Sequence, residues 1–138
     1  MKPYKIGYTT GVFDLFHVGH LNILKRAKEQ CEYLIVGVST DELVMEYKNK
    51  LPVIPHQERF EIVKGIKYVD MVVPQTNRDK FLAWENLQFN VMFVGDDWKG
   101  NALFNKLEIK FKNVGVDIVY FPYTIGVSST IVKEKINI

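Results

Sequence analysis

The chain is short of cysteine. Cys31 stands alone, which excludes an internal disulfide framework and fits a reducing compartment. A dominant charge sign is missing too: 18 Lys and Arg against 16 Asp and Glu leave a formal net charge of +2. No dense basic run appears, so nucleic acid is not an expected partner. Long apolar runs are also missing. No segment approaches the ~18 apolar residues that span a bilayer, and the first residues, MKPYKIGYTTGVFD, lack the apolar core of a signal peptide. Membrane insertion is therefore not expected, and a cytoplasmic location is. Internal repeats and low-complexity stretches are absent. What remains is a 138-residue chain, 47% hydrophobic and 25% charged, the composition of one globular domain over residues 1–138.

Apolar patterning supplies the order of elements. KIGYTT (5–10) reads as a first strand. Leu21, Leu24, Ala27 and Cys31 then recur at helical spacing, with Lys25, Lys28 and Glu29 facing outward. YLIVGV (33–38) is almost continuously apolar, as in a strand buried on both faces of a parallel sheet. STDE starts a helical turn, and VMEYKNKLPVIP (44–55), with two prolines and no clear period, reads mostly as a loop. A helix over 56–69 follows, with Phe60, Val63 and Ile66–Lys67 near its inner stripe. DMVVP, VMFVG (91–95) and DIVYFP read as strands. RDKFLAWENL, residues 101–115 and SSTIVKEKI read as helices, the second ended by glycine and the last opened by serine. Strands alternating with helices predict a doubly wound α/β fold with a mainly parallel sheet of about five strands. Ligands of such folds bind beyond the C-terminal strand ends, where strand order switches. Three stretches follow strands directly and should gather there: TTGVFDLFHVGH, GDDWKG and YTIGVSST.

The first of these holds His17 and His20, three residues apart at a predicted helix start, so they share a face. Free N–H groups and the positive dipole end attract phosphate there. Gly19 offers close approach to the backbone. Two imidazole N–H donors at such an end would hold the charge that develops on a phosphoryl group under attack. The plainer alternatives are a cap or a packed histidine. A metal pair is a further one, but no Cys, Asp or third His stands at recognisable ligand spacing.

GVFDLFHVGH resembles the signature of the cytidylyltransferase-like nucleotidyltransferases. RAKEQCEYLIVGVSTDE, ERFEIVKGIKYVDMVVP and FVGDDWKG are similar to the short bacterial glycerol-3-phosphate type almost element by element, and GVSST resembles the family's closing Gly-Ile-Ser-Thr segment. The resemblance spans nearly the whole chain. It implies a Rossmann-like nucleotidyltransferase fold and an enzyme that joins CTP, with Mg²⁺, to a small phosphate monoester and releases pyrophosphate. The acceptor it favours is glycerol 3-phosphate, giving CDP-glycerol. By analogy with the family a homodimer is expected.

The resemblance also implies roles. His17 and His20 contact the α-phosphate and stabilise the transition state. Asp14 orders the loop or helps place Mg²⁺, with a structural cap as its alternative. Lys48 and Lys50, in YKNKLP, match lysines of a mobile family loop and would neutralise phosphate charge. Arg59 matches a family arginine near the phosphates, or else pairs with Glu58 or Glu61 at the surface. Lys67 stands where close relatives have Arg. Nucleotide binding falls to Thr9, Thr10, Gly11, Val12, Phe13 and Gly19. It falls also to Gly95, Asp96, Asp97 and Trp98, with core packing as the rival reading of Trp98. The closing segment adds Tyr123, Thr124, Gly126 and Val127. Ser128, Ser129 and Thr130 open the last helix as a second anion site. Where close relatives read Arg-Thr-Glu-Gly-Ile-Ser-Thr, Tyr123 replaces the arginine and Ile125 the glutamate.

Other acceptors remain: ethanolamine phosphate, choline phosphate or another polyol phosphate. Adenylyltransferases that use ATP share similar histidine motifs and serine-rich helix starts, but GDDW and the STDE…YVD stretch point to the cytidylyl branch. Class I aminoacyl-tRNA synthetases carry related histidines, but 138 residues leave no room for their tRNA-binding parts. A catalytically dead nucleotide sensor is the reading from another class, and the intact His17, His20, Lys48 and Arg59 argue against it.

Overall fold

The alternation of strands and helices is realised in the computed structural model, which describes residues 2–122 and 128–136. In chain order the strands are β1 (Tyr4–Gly11), β2 (Cys31–Ser39), β3 (Met71–Gln75), β4 (Val91–Gly95) and β5 (Asp117–Phe121). The helices are α1 (Val18–Gln30), α2 (Asp41–Lys48), α3 (His56–Lys64), α4 (Lys80–Leu87), α5 (Ala102–Lys112) and α6 (Ser129–Ile136). The strands form one sheet in the order β3-β2-β1-β4-β5, and every neighbouring pair is parallel. The fold is α/β and Rossmann-like.

Both faces of the sheet are covered, which is why its central strands are apolar throughout. Leu34, Val36 and Val38 point to one side and pack with Leu24 and Ala27 of α1 and Val63 of α3. Ile35 points to the other, into a cluster with Tyr8, Met92, Phe89 and the α5 residues Phe104 and Phe111. Adjacent residues thus serve opposite cores, as the pleat requires. Gly37 marks a close approach across the sheet: a Cβ there would lie 2.7 Å from the Tyr8 hydroxyl. The chain builds β1, β2 and β3 outward in one direction, then crosses back to place β4 and β5 on the far side of β1. The switch lies between β1 and β4, the place beyond the C-terminal strand ends where open α/β sheets bind their ligands.

Two expectations are corrected. Residues 44–48 are not loop but the body of α2. Thr40 caps this helix by accepting the Leu43 N–H at 3.2 Å, Asp41 and Glu42 complement its first turn, and Leu43 and Val44 are buried. With two turns and one buried pair, the helix is too short to display a period. Lys48 is therefore the last helical residue, followed by Asn49 as a left-handed cap at φ 57°, and the loop proper holds Lys50 and the two prolines. The second correction concerns 56–69. Here α3 stops at Lys64, where Gly65 donates its N–H to the carbonyls of Glu61 and Ile62. Lys67 is then exposed, not on an inner stripe.

Candidate active site

His17 is the N-cap residue of α1, and the two histidines cap the helix reciprocally. The Gly19 N–H donates to His17 Nδ1 at 3.0 Å, and the His17 N–H donates to His20 Nδ1 at 3.2 Å. Each Nδ1 is therefore an acceptor, and the proton of each neutral ring must sit on Nε2. The rings stack at 3.9 Å. Phe13 and Phe16 flank His20, with ring centroids at 5.4 Å and 5.1 Å. Burial lowers the His17 pKa. It pushes that of His20 down to about 4, helped by the charge His17 would carry and opposed by Asp14. At neutral pH the pair presents two uncharged imidazoles, each with one N–H facing away from the helix backbone. The loop leading to them is strained: Phe13 and Leu15 hold positive φ values of 55° and 49°, a cost of roughly 1–3 kcal/mol each.

Two buried ionic residues hold that loop. Asp14, 4% exposed, accepts the N–H groups of Val53 and Ile54 at 2.8 Å and 2.9 Å. Lys133 of α6 stands 3.3 Å from the same carboxylate. Burial alone would raise the Asp14 pKa, but the two N–H groups and the ammonium outweigh it and the pKa is lowered. Arg59 is fully buried. It donates to the carbonyls of Ile54, Val12 and Ser39 at 2.7–2.8 Å and pairs with Asp41 at 2.7 Å. It ties the ends of β1 and β2 to the segment before α3, and it makes no surface pair with Glu58 or Glu61. Buried behind these partners, the guanidinium braces the loop that leads to the histidines.

The opening of α6 meets the histidine loop. The Ser129 hydroxyl donates to the Asp14 carbonyl at 2.7 Å, and Ser128 accepts the Ile131 N–H at 3.1 Å. Both serine hydroxyls thus already serve the protein, while Thr130 is exposed. One turn on, Lys133 shares the Ser129 face. The sequence reading missed this lysine, although its i+4 spacing from a site serine was a usable signal. Lys48 lies close enough to sense it. Partial desolvation, then Lys133 and Lys50, lower the Lys48 pKa, while Asp14 raises it. A cationic set therefore assembles near Asp14 from α6 and from the end of α2 with the loop that follows it.

The remaining nominated residues divide. Thr9 is buried and its hydroxyl bridges to the Phe93 carbonyl of β4 at 2.9 Å; Thr10 and Gly11 end β1. Val12 gives its carbonyl to Arg59. Phe13 belongs to the core, and the N–H of Gly19 is used in the cap. Beyond Gly95, Asp96–Trp98 form a single 3-10 turn with both aspartates exposed. Trp98 is half-buried and packs on Phe104 at 5.1 Å, so core packing accounts for much of its ring. Tyr123, Thr124, Gly126 and Val127, with Ile125, lie outside the described residues.

Asp14 does not fit a resident cation. Its carboxylate is buried, accepts two N–H groups and faces an ammonium, which is the arrangement of an anion held by donors. Among the described residues no three His, Cys, Asp or Glu side chains converge to hold a metal.

Comparison with known proteins bears on this geometry. The chain is 37% identical over 135 residues to the glycerol-3-phosphate cytidylyltransferase of Bacillus subtilis, covering 93% of this chain and 94% of that one. It is 36% identical over 124 residues to an FAD synthase of Thermococcus sibiricus, covering 88% and 84%. Among solved structures, a lipopolysaccharide core biosynthesis protein from Thermoplasma volcanium superposes with a TM-score of 0.76 at 25% identity, covering 88% of this chain and 98% of that one. Residues 8–135 match the family model described as cytidylyltransferase-like. The chain, with its paired histidines at the head of α1, belongs to the cytidylyltransferase-like family and is a nucleotidyltransferase.

Proposed function

We propose that the protein transfers a cytidylyl group from CTP to glycerol 3-phosphate, giving CDP-glycerol and pyrophosphate. The observation that carries the chemistry is the reciprocal histidine cap. It fixes two neutral imidazoles with their Nε2–H groups available as donors at the switch between β1 and β4. The acceptor identity leans on the glycerol-3-phosphate relative, which this chain matches over 93% of its length.

A phosphate oxygen of the acceptor attacks the α-phosphorus in line. The new P–O bond forms as the bond to the bridging oxygen breaks, and pyrophosphate leaves with the electron pair. No proton needs to move, because the nucleophile is already an anion. His17 and His20 donate to the α-phosphoryl oxygens, where charge develops. Lys48, Lys50 and Lys133 offset the charge of the triphosphate and of the departing pyrophosphate. The start of α6 and the 95–98 turn receive the β- and γ-phosphates and the nucleoside. Mg²⁺ would enter with the triphosphate and neutralise it; Asp14 serves as loop anchor. A cytoplasmic homodimer accompanies this reading by family analogy, and no helix among the described residues is long and apolar enough to cross a membrane.

The resemblance to an FAD synthase at nearly equal identity supports a second reading, adenylyl transfer from ATP. Pyrophosphate release separates the two. CTP and ATP are each offered with Mg²⁺ to glycerol 3-phosphate, ethanolamine phosphate, choline phosphate and FMN. The expected outcome is turnover with CTP and glycerol 3-phosphate. The CTP margin in kcat/KM should be narrower than in relatives that carry Arg and Glu at positions 123 and 125, since both charges are gone here. If ATP gives the larger kcat/KM, the adenylyl reading replaces this one.

A further inference from the structure

Arg78, in the loop between β3 and α4, is an exposed cation. The described salt bridges join Lys28 to Asp70, Arg59 to Asp41 and Lys133 to Asp14. Among the described residues no carboxylate pairs with Arg78. The acid next to it in sequence, Asp79, is committed to capping α4 through the N–H groups of Phe81 and Leu82. The guanidinium carbon of Arg78 instead lies 4.7 Å from the centre of the Tyr47 ring. Tyr47 belongs to the last turn of α2, and its hydroxyl lies near Ser39 at the end of β2. Arg78 therefore reaches across the C-terminal ends of β3 and β2. Stacking on a ring orients a guanidinium while leaving its in-plane N–H donors open. Two more cations stand close by. Lys48 follows Tyr47, and Lys80 has its pKa lowered to about 8 by burial and then by the charge of Arg78.

Strand order gives this corner a role. On the nucleotidyl-transfer reading, the α-phosphate would meet the histidines beyond β1 and the nucleoside the 95–98 turn after β4, on one side. That reading leaves the other side, over β2 and β3, for the acceptor. Its phosphate faces β1 and its tail faces outward. Two strand spacings amount to about 10 Å, which suits a small phosphorylated alcohol laid across the strand ends.

We infer that Arg78 selects the acceptor by its tail: a neutral polyol or anionic tail is accepted, and an ammonium tail is repelled. The inference rests on the nucleotidyl-transfer reading above and deepens it. Repulsion of the wrong substrate is as effective a source of specificity as attraction of the right one. It also fits an arginine that lies over a tyrosine ring and forms no ion pair among the described residues.

The test compares kcat/KM for glycerol 3-phosphate and ethanolamine phosphate at saturating CTP, in the wild type, Arg78→Gln, Arg78→Lys and Arg78→Glu. The wild type should favour glycerol 3-phosphate. Arg78→Glu should move the ratio about tenfold or more toward ethanolamine phosphate, and Arg78→Gln by less in the same direction. Arg78→Lys should hold the ratio within about threefold, and KM for CTP should not move in any variant. The position is exposed, so all three should fold. An unchanged ratio in both Arg78→Glu and Arg78→Gln overturns the inference and leaves nucleotidyl transfer standing, as does a wild type that prefers ethanolamine phosphate. Absence of pyrophosphate release with CTP or ATP and any acceptor overturns both.

Discussion

At the residue scale the chemistry turns on which nitrogen of each imidazole carries the proton. The cap answers it, because an Nδ1 that accepts a backbone N–H cannot also bear hydrogen. Protonating either ring would set two donors against each other and break the cap, in addition to the cost of charging a buried group. His20→Ala should therefore cut kcat by ~10²–10³-fold with little change in the affinity for CTP, the cost of losing one preorganised donor. Near-normal turnover would remove His20 from catalysis. The same residue links stability to pH. Its folded pKa, about 4, lies below the unfolded value of about 6.5, so between those limits the unfolded chain binds more protons. The His20 contribution is complete above pH 6.5 and is lost as pH falls toward 4. Urea midpoints at pH 7 and pH 4.5 should differ less for His20→Asn than for the wild type.

At the scale of elements, α1, α2, α3 and α6 are locked together through Asp14 and Arg59. Arg59 joins four partners: Val12 just after β1, Ser39 of β2, Asp41 of α2 and Ile54 before α3. Replacing it with Ala leaves buried carbonyls without donors and Asp41 without its cation, and should cost about 3–5 kcal/mol of stability. Lys48→Ala should behave in the opposite way. Its side chain is exposed, so the unfolding midpoint should hold while kcat/KM falls. Paired denaturation and kinetic measurements on the two variants check the division. A stable Arg59→Ala protein with lost activity would instead return Arg59 to direct phosphate contact. Helix existence at this scale was mostly legible: α1 follows its apolar spacing, with Leu24 and Ala27 buried as that spacing predicts. The sequence hid α2, since two turns that bury Leu43 and Val44 leave no repeat to read.

At the scale of the whole molecule, the sheet's two faces depend on close approach at its centre. Tyr8 lies under Gly37, and stacks on Phe89 at 4.7 Å. Gly37→Ala would push a methyl against the Tyr8 hydroxyl and so disturb β1. A destabilisation of about 1–3 kcal/mol is expected, read as a lower urea midpoint; an unchanged midpoint would mean that Tyr8 yields freely. Strand order also decides which loops can meet. Only with β1 beside β4 do the histidine loop and the 95–98 turn follow neighbouring strand ends, and only with β3 beyond β2 does Arg78 reach Tyr47.

Taken alone, the sequence determined what depends on near neighbours. Unbroken apolar runs such as 33–38 and 91–95 require strands buried on two faces, and helical periods between them require the α/β class. Two histidines three apart at a helix start are likewise a local fact, visible before any folding. Tertiary structure alone decided the long-range partnerships. It turned Arg59 inward, brought Lys133 from the far end of the chain to Asp14, and engaged the hydroxyl of Thr9 with β4. The physical reason is that dihedral preference and side-chain period act over a few residues. The partner of a buried charge is set instead by strand order and by the need to satisfy each desolvated group, and these exist only once the sheet has closed around them.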